Sequence, residues 1–144
     1  MAHPDIPLVL HIRGQGVVNK GDSAYVHCLD FLRGKVSPNQ KIQLHSFGGS
    51  KKIVEAFLGV FPATFFSYGG LMKGFTNEQK EGLRSVPRKN LLFETDSPYL
   101  SLNGKRKNYP QFLSDIIQRT SDIRNCSLGN LIEAHKVNFL RCFQ

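Results

Sequence analysis

The chain has 144 residues, a length that suits one domain and is too short for two ordinary ones. Apolar residues make up 40% of the chain and charged residues 21%, a balance that argues against wholesale disorder. No apolar run approaches the ~18 residues of a membrane-spanning helix. The formal net charge of +8 favours a polyanionic partner, although an ordinary basic soluble protein has the same balance.

The cysteines and the start of the chain bear on the cellular compartment. Cys28, Cys126 and Cys142 are odd in number and form no CxxC pair. Residues 1–14 lack the basic start and the long apolar stretch of a secretory signal. Reduced thiols without a signal predict a cytoplasmic or nuclear protein that is not secreted and has no membrane partner.

The first half of the chain predicts alternating strands and helices. Residues 7–12 form a short apolar run, residues 23–33 have a helical pattern, and residues 41–47 form a second run. Ser50 is placed to N-cap the next helix, whose apolar residues recur at helical spacing through Phe61. The order at this point is strand, helix, strand, helix.

The second half continues the alternation and then ends in two helices. Thr76 and Gln79 match a capping box, which predicts a helix through about Val86. The remaining predicted elements are strands over 64–68 and 90–96 and helices that start near Pro110 and at Ser127. Continuous apolar strands separated by helices predict an α/β fold with about four parallel strands and covering helices.

Polar side chains fall at the ends of three predicted strands. His11 lies near the end of the first strand, His45 ends the second, and Glu94 and Asp96 end the fourth. Because the carboxyl ends of parallel strands converge on one rim, these side chains can share a divalent cation that would bridge a phosphate. The alternatives are hydrogen-bonded structural histidines, and carboxylates that cap the turn at Ser97-Pro98.

The segments that carry these residues resemble the TatD family of metal-dependent deoxyribonucleases. They read LVLHIR over residues 8–13, LHSFGGS over 44–50 and LLFETDSPYL over 91–100. The tail is similar as well, at Lys107–Pro110 and at Asn138–Phe143. The resemblance covers almost the whole chain.

What the resemblance implies is a (β/α)8 TIM-barrel hydrolase that cleaves DNA phosphodiesters with one or two divalent cations. Mg²⁺ is the expected ion, and Mn²⁺ or Zn²⁺ are the alternatives. By position, His11, His45 and Asp96 match the family's metal ligands. Asp96 and Glu94 are the implied catalytic residues, Glu94 as a support for the ligands.

Three cationic side chains are candidates for substrate binding. The guanidinium of Arg13 matches the geometry of a phosphate, and a surface ion pair is its alternative. Lys105 and Arg106 follow the Asp96 strand, where they could hold a nucleic-acid backbone. A solvated loop is the alternative for these two residues.

The chain is short for the family. A full barrel needs roughly 250 residues, whereas this chain supplies four strands, so we expect a single partial domain over residues 1–144 that forms the C-terminal half of the barrel. The family's opening His-x-His or His-x-Asp pair and its bridging Glu have no counterpart here. The chain is then a fragment or incomplete gene product, a half that a second chain or a missing N-terminal half completes, or a decayed paralogue.

These expectations lead to one primary function and two alternatives. The primary hypothesis is a metal-dependent phosphodiesterase that acts on DNA. The first alternative is a non-catalytic remnant of the family that binds nucleic acid. The second keeps the metal hydrolase and changes its substrate to another ester or an amide, because a fold does not fix a substrate.

Overall fold

The computed structural model of the chain describes residues 5–13, 21–102 and 107–144. These residues form a four-stranded parallel sheet in which the strands lie in chain order. The strands are β1 (Leu8–His11), β2 (Ile42–His45), β3 (Thr64–Tyr68) and β4 (Leu91–Phe93). In this part of the chain, every helix is too short or too polar to cross a membrane.

The helices follow the predicted alternation. They are α1 (Gly21–Leu32), α2 (Lys51–Val60), α3 (Asn77–Ser85), α4 (Leu113–Arg124) and α5 (Leu128–Phe143). Short 3₁₀ helices cover Gly70–Gly74, Arg88–Asn90 and Pro110–Phe112. The fourth strand is shorter than predicted because it ends at Phe93. Glu94 and Asp96 therefore lie just beyond the strand rather than at its end.

Two helix starts test the predicted caps. At α3, the Thr76 hydroxyl accepts from the Gln79 N–H and the Gln79 side chain accepts from the Thr76 N–H, which confirms the capping box. At α2, Ser50 occupies the N-cap position without a side-chain cap bond. Its hydroxyl donates to Asp22 of α1 instead. The prediction that Ser50 occupies the N-cap position is confirmed, but the hydrogen bond expected of an N-cap serine, from a backbone N–H of α2 to its hydroxyl oxygen, is not formed.

The two faces of the sheet have different partners, since successive side chains of a strand point to opposite faces. On one face, Ile42, Leu44 and Phe66 belong to the main core, which also contains buried residues of all five helices. On the other face, Phe65 and Leu92 pack against Cys142 of α5. The first face fixes the helices against the sheet, and the second face carries the polar residues described next.

Candidate metal centre

A chain of contacts at the carboxyl end of the sheet joins one imidazole to two carboxylates. The Nδ1 atom of His45 lies 3.1 Å from Oε2 of Glu94, and its Nε2 atom lies 3.5 Å from Oδ1 of Asp96. The side chains are largely buried, with 14% of His45, 14% of Glu94 and 23% of Asp96 exposed. A neutral imidazole that carries its proton on Nδ1, toward Glu94, presents the lone pair of Nε2 toward Asp96.

Glu94 is held by donors from two other strands. The Ser46 N–H donates to its Oε1 at 2.6 Å, and the Gln43 amide donates to its Oε2 at 3.3 Å. The Ser67 hydroxyl also donates to Oε2. A carboxylate fixed in this way orients the histidine beside it, which is how carboxylates commonly support metal-ligating histidines.

The ionisation of Glu94 depends on the same neighbours. Burial raises the pKa of Glu94 above its usual range, and the charge of Asp96 adds to that rise. The hydrogen bond from Ser67, the charge of His45 and the Ser46 N–H oppose the rise, in that order. The net direction is a raised pKa, because burial outweighs the donors that favour the carboxylate form of Glu94.

Unusual backbone geometry brings these groups together. Ser46 and Asp96 have φ angles of 49° and 56°, in the left-handed region that side chains other than glycine seldom adopt. Glycines at the end of β3 permit a close approach, because a Cβ at Gly69 would lie 3.3 Å from Cγ of Glu94. A Cβ at Gly70 would lie 1.5 Å from the carbonyl oxygen of Leu100. The segment after β4 therefore packs directly against the backbone of Gly69 and Gly70, where a side chain would not fit.

The end of β1 and the residues just after it lie at the exposed margin of this centre. His11 is the register partner of His45, and the centroids of their rings are 4.2 Å apart with the planes tilted by 36°. Arg13 reaches Asp96, with Nη2 3.8 Å from Oδ2, while 70% of the Arg13 side chain is exposed. The structure therefore gathers His11, His45, Glu94 and Asp96, and it leaves Arg13 in solvent with one weak ion pair.

The donor atoms fit part of a divalent-metal centre. Nε2 of His45 is buried and has no hydrogen-bond partner within the described residues. An imidazole nitrogen and a carboxylate oxygen are both common ligands of divalent cations. Across residues 5–13, 21–102 and 107–144, no group of three or more His, Cys, Asp or Glu side chains is arranged to hold a metal ion. His45 and Asp96 offer two donor atoms that suit such an ion, and the ligand roles of His11, His45 and Asp96 stay predictions.

Some residues of the centre were missed from the sequence, and two lie outside the described residues. Gln43 and Ser67 support Glu94, and neither was predicted. The feature of the sequence that could have indicated them is a polar residue within an otherwise apolar, buried strand, on the same face of the sheet as His45. Lys105 and Arg106 lie outside the described residues, so their predicted contact with substrate stays a prediction.

Parallel strands, outer helices and a polar centre at the carboxyl ends of the strands define an α/β protein with its site on the customary rim. The family model described as TatD related DNase matches residues 2–144. The chain belongs to this family. Membership supports a divalent metal in general, without identifying the ion or the number of ions.

Individual relatives agree with this assignment. The 3'-5' RNA nuclease TATDN2 of Homo sapiens is 31% identical over 94 residues, which cover 65% of this chain and 11% of that protein. A Xenopus laevis protein whose name, tatdn3-B, carries a provisional deoxyribonuclease assignment is 28% identical, over 72% of this chain and 39% of its own. The solved TatD homologue YJJV of Escherichia coli K12 superposes with a TM-score of 0.74 at 22% identity.

The match to the solved structure confirms the fold and also shows how much of that structure this chain corresponds to. The match to YJJV covers 96% of this chain and 50% of that structure, so the chain spans about half the length of the solved relative. The predicted α/β half-barrel, with four parallel strands and outer helices, is consistent with both findings. The single partial domain and the cellular compartment stay predictions.

Proposed function

We propose that this chain carries the metal-binding half of a phosphodiesterase that acts on nucleic acid. The observation that carries the proposal is the buried contact series from Glu94 through His45 to Asp96. It leaves one imidazole lone pair and one carboxylate oxygen close together at the rim where α/β enzymes bind substrates. Membership of the TatD-related DNase family supports the same activity.

Each residue has a separate role in this proposal. His45 and Asp96 hold a divalent ion, and His11 approaches from the neighbouring strand as a further ligand. Glu94 keeps His45 in the tautomer that exposes Nε2. Arg13 is placed at the open margin, where it would pair with a phosphate oxygen. A bound ion would polarise that phosphate and lower the pKa of an attacking water.

The identity of the ion and the substrate are finer parts of the proposal. The carboxylate favours Mg²⁺ or Mn²⁺, whereas the imidazoles suit Zn²⁺. DNA is the first substrate to test, and RNA follows because the human relative is named as an RNA nuclease. The net charge of +8 suits either polyanion.

One observation favours a second candidate function. The described residues bring two converging ligands together rather than three. A chain with so few ligands could bind nucleic acid through its positive charge without cleaving it. Such a protein would retain binding in EDTA, and that binding would weaken steeply as salt rises.

The test compares Asp96→Asn with Asp122→Asn, a substitution at an exposed carboxylate of α4. Both proteins are stripped with EDTA and assayed with Mg²⁺, Mn²⁺ or Zn²⁺ on end-labelled single-stranded DNA and RNA. Binding of Mn²⁺ is followed separately by electron paramagnetic resonance. We expect Asp96→Asn to lower both cleavage and Mn²⁺ affinity by at least about 10- to 100-fold, the range seen when even outer-shell partners of a metal are lost.

The control and the contrary outcomes are distinct. Asp122→Asn should stay within about twofold of wild type, since surface changes away from the site have small effects. Unchanged cleavage by Asp96→Asn would refute the role of Asp96. Nucleic-acid binding in EDTA, with no cleavage by wild type under any of the three ions, would replace the enzyme with the non-catalytic candidate.

A further inference from the structure

The loop between β2 and α2, residues 46–50, is tied down at both ends. We call it the His45 loop, because it begins directly after that residue. At its start, the Ser46 N–H donates to Glu94 and the Phe47 N–H donates to the Ser67 carbonyl at 2.8 Å. These bonds connect the loop to the strand ends that carry the candidate metal centre.

Helix α1 holds the other end of the His45 loop. The two carboxylate oxygens of Asp22 accept from Ser50, Oδ1 from its N–H at 3.1 Å and Oδ2 from its hydroxyl. Tyr25, one turn further along α1, accepts from the Gly48 N–H at 3.2 Å through its phenol oxygen. Ser50 and Tyr25 are buried, so water does not readily replace these partners.

The bond between Asp22 and Ser50 has a use other than helix capping. An N-cap serine ordinarily accepts from a backbone N–H of its own helix, and the Thr76 hydroxyl does so at α3. The Ser50 hydroxyl instead donates a hydrogen bond to Asp22, which lies 28 positions earlier in the chain. The geometry therefore couples the position of α1 to the His45 loop rather than satisfying α2 alone.

We infer that Asp22 is a positioning residue that sets the orientation of His45 through the His45 loop. Released from Asp22, the loop would no longer hold the Ser46 N–H against Glu94, and Glu94 would lose part of the geometry that places its Oε2 3.1 Å from His45 Nδ1. The imidazole would then sample both tautomers and rotate away from Asp96. This role rests on the proposed function of His45, although the structural coupling can be measured without any metal.

The first experiment measures the coupling in the 144-residue chain by nuclear magnetic resonance. Asp22→Ala is compared with Asp30→Ala, a change at an exposed carboxylate on the same helix. In Asp22→Ala we expect amide exchange of Ser46 and Ser50 to rise about tenfold, the scale of one lost hydrogen bond. The imidazole ¹⁵N signals of His45 should shift from a single tautomer toward a mixture, while exchange at Leu44 stays as in wild type.

Two further readouts separate positioning from general destabilisation. Asp22→Asn keeps an oxygen for the Ser50 N–H and an amide that the hydroxyl can accept from, so it should restore the wild-type His45 signals. In the cleavage assay, Asp22→Ala should lower kcat by about 10- to 100-fold with KM nearly unchanged, as for other groups that orient metal ligands. Asp30→Ala should change neither readout.

The outcomes distinguish this inference from the proposed function. Faster exchange at Ser50 together with unchanged Ser46 exchange and unchanged His45 signals would mean that Asp22 only holds the start of α2, and the inference would be overturned. If wild type cleaves nothing with any ion, the proposed function fails. The resonance experiment would still decide whether Asp22 orients His45.

Discussion

The two edge strands of the sheet, β1 and β4, differ in what covers their outer sides. On β4, the Leu91 carbonyl accepts from the Asn138 side chain at 2.8 Å, and the Phe93 N–H donates to Nδ1 of His135 at 3.3 Å. Both partners belong to α5. On β1, alternation directs the backbone of Val9 outward, and within the described residues no side chain bonds to it.

The residues of the candidate metal centre differ in burial in the same way as the two edge strands that precede them. The strand that α5 covers is followed by Glu94 and Asp96, which are largely buried and well contacted. Strand β1, which no described side chain covers with a hydrogen bond, ends in His11 and is followed by Arg13, and both of these residues are exposed. In this chain, the more buried residues of the candidate centre follow the edge strand whose outer backbone groups are satisfied by α5.

Removing the cover of β4 should have the largest effect. Asn138 is 1% exposed and donates to the carbonyls of Arg88 and Leu91, both at 2.8 Å. Asn138→Ala would remove the donor of the Leu91 carbonyl, whereas the Arg88 carbonyl still accepts from the Leu91 N–H. We expect the free energy of unfolding to fall by about 1–3 kcal/mol, the cost of one unsatisfied buried group. Urea denaturation followed by circular dichroism measures the change.

Asn130→Ala is the matched control for Asn138→Ala. Asn130 is exposed in the first turn of the same helix, and its replacement should change the free energy of unfolding by less than about 0.5 kcal/mol. Equal losses in the two variants would mean that α5 contributes through its helix alone. The bonds to β4 would then have no part in closing the edge.

The contrast between local and distant contacts explains what the sequence could predict. The strand order, the Thr76 capping box and the meeting of His45 with Glu94 and Asp96 follow from periodicity and from the convergence of parallel strands. The bond of Ser50 to Asp22 joins residues 28 apart and competes with a local cap. Local patterns favour the cap, because they contain no information about where α1 lies.

The same limit applies at β4. His135 lies on the apolar stripe of α5, a position that favours a packed structural histidine, and its ring lies 5.5 Å from that of Phe93, centroid to centroid. Its acceptance of the Phe93 N–H could not be read from that stripe, since the bond depends on the crossing of α5 over the strand. Periodicity gives the face of a helix but not its partner.

A change of pH should weaken the β4 edge by a smaller amount. Burial lowers the pKa of His135, and its Nδ1 must be unprotonated to accept from Phe93. Above a pH of about 6.5, His135 is neutral in both the folded and the unfolded chain. As the pH falls below that value, the unfolded chain binds the proton first, so stability decreases until the pH passes the lower folded-state pKa.

His135→Gln tests this dependence, because glutamine can accept from the Phe93 N–H without titrating. We expect the free energy of unfolding of wild type to fall more between pH 7 and pH 5 than that of His135→Gln. The exposed His27 offers the control, and His27→Gln should keep the wild-type slope. Parallel curves for wild type and His135→Gln would show that His135 does not link stability to pH.

The smallest effect is expected on β1. Val9 is 42% exposed on the edge strand that has no covering side chain among the described residues, and threonine has nearly its shape and suits a strand equally well. Val9→Thr should therefore change the free energy of unfolding by less than about 0.5 kcal/mol. A loss well above that value would mean that another surface covers β1 in solution. If the loss also varied with protein concentration, the covering surface would belong to a second copy of the chain, because only association makes stability depend on concentration.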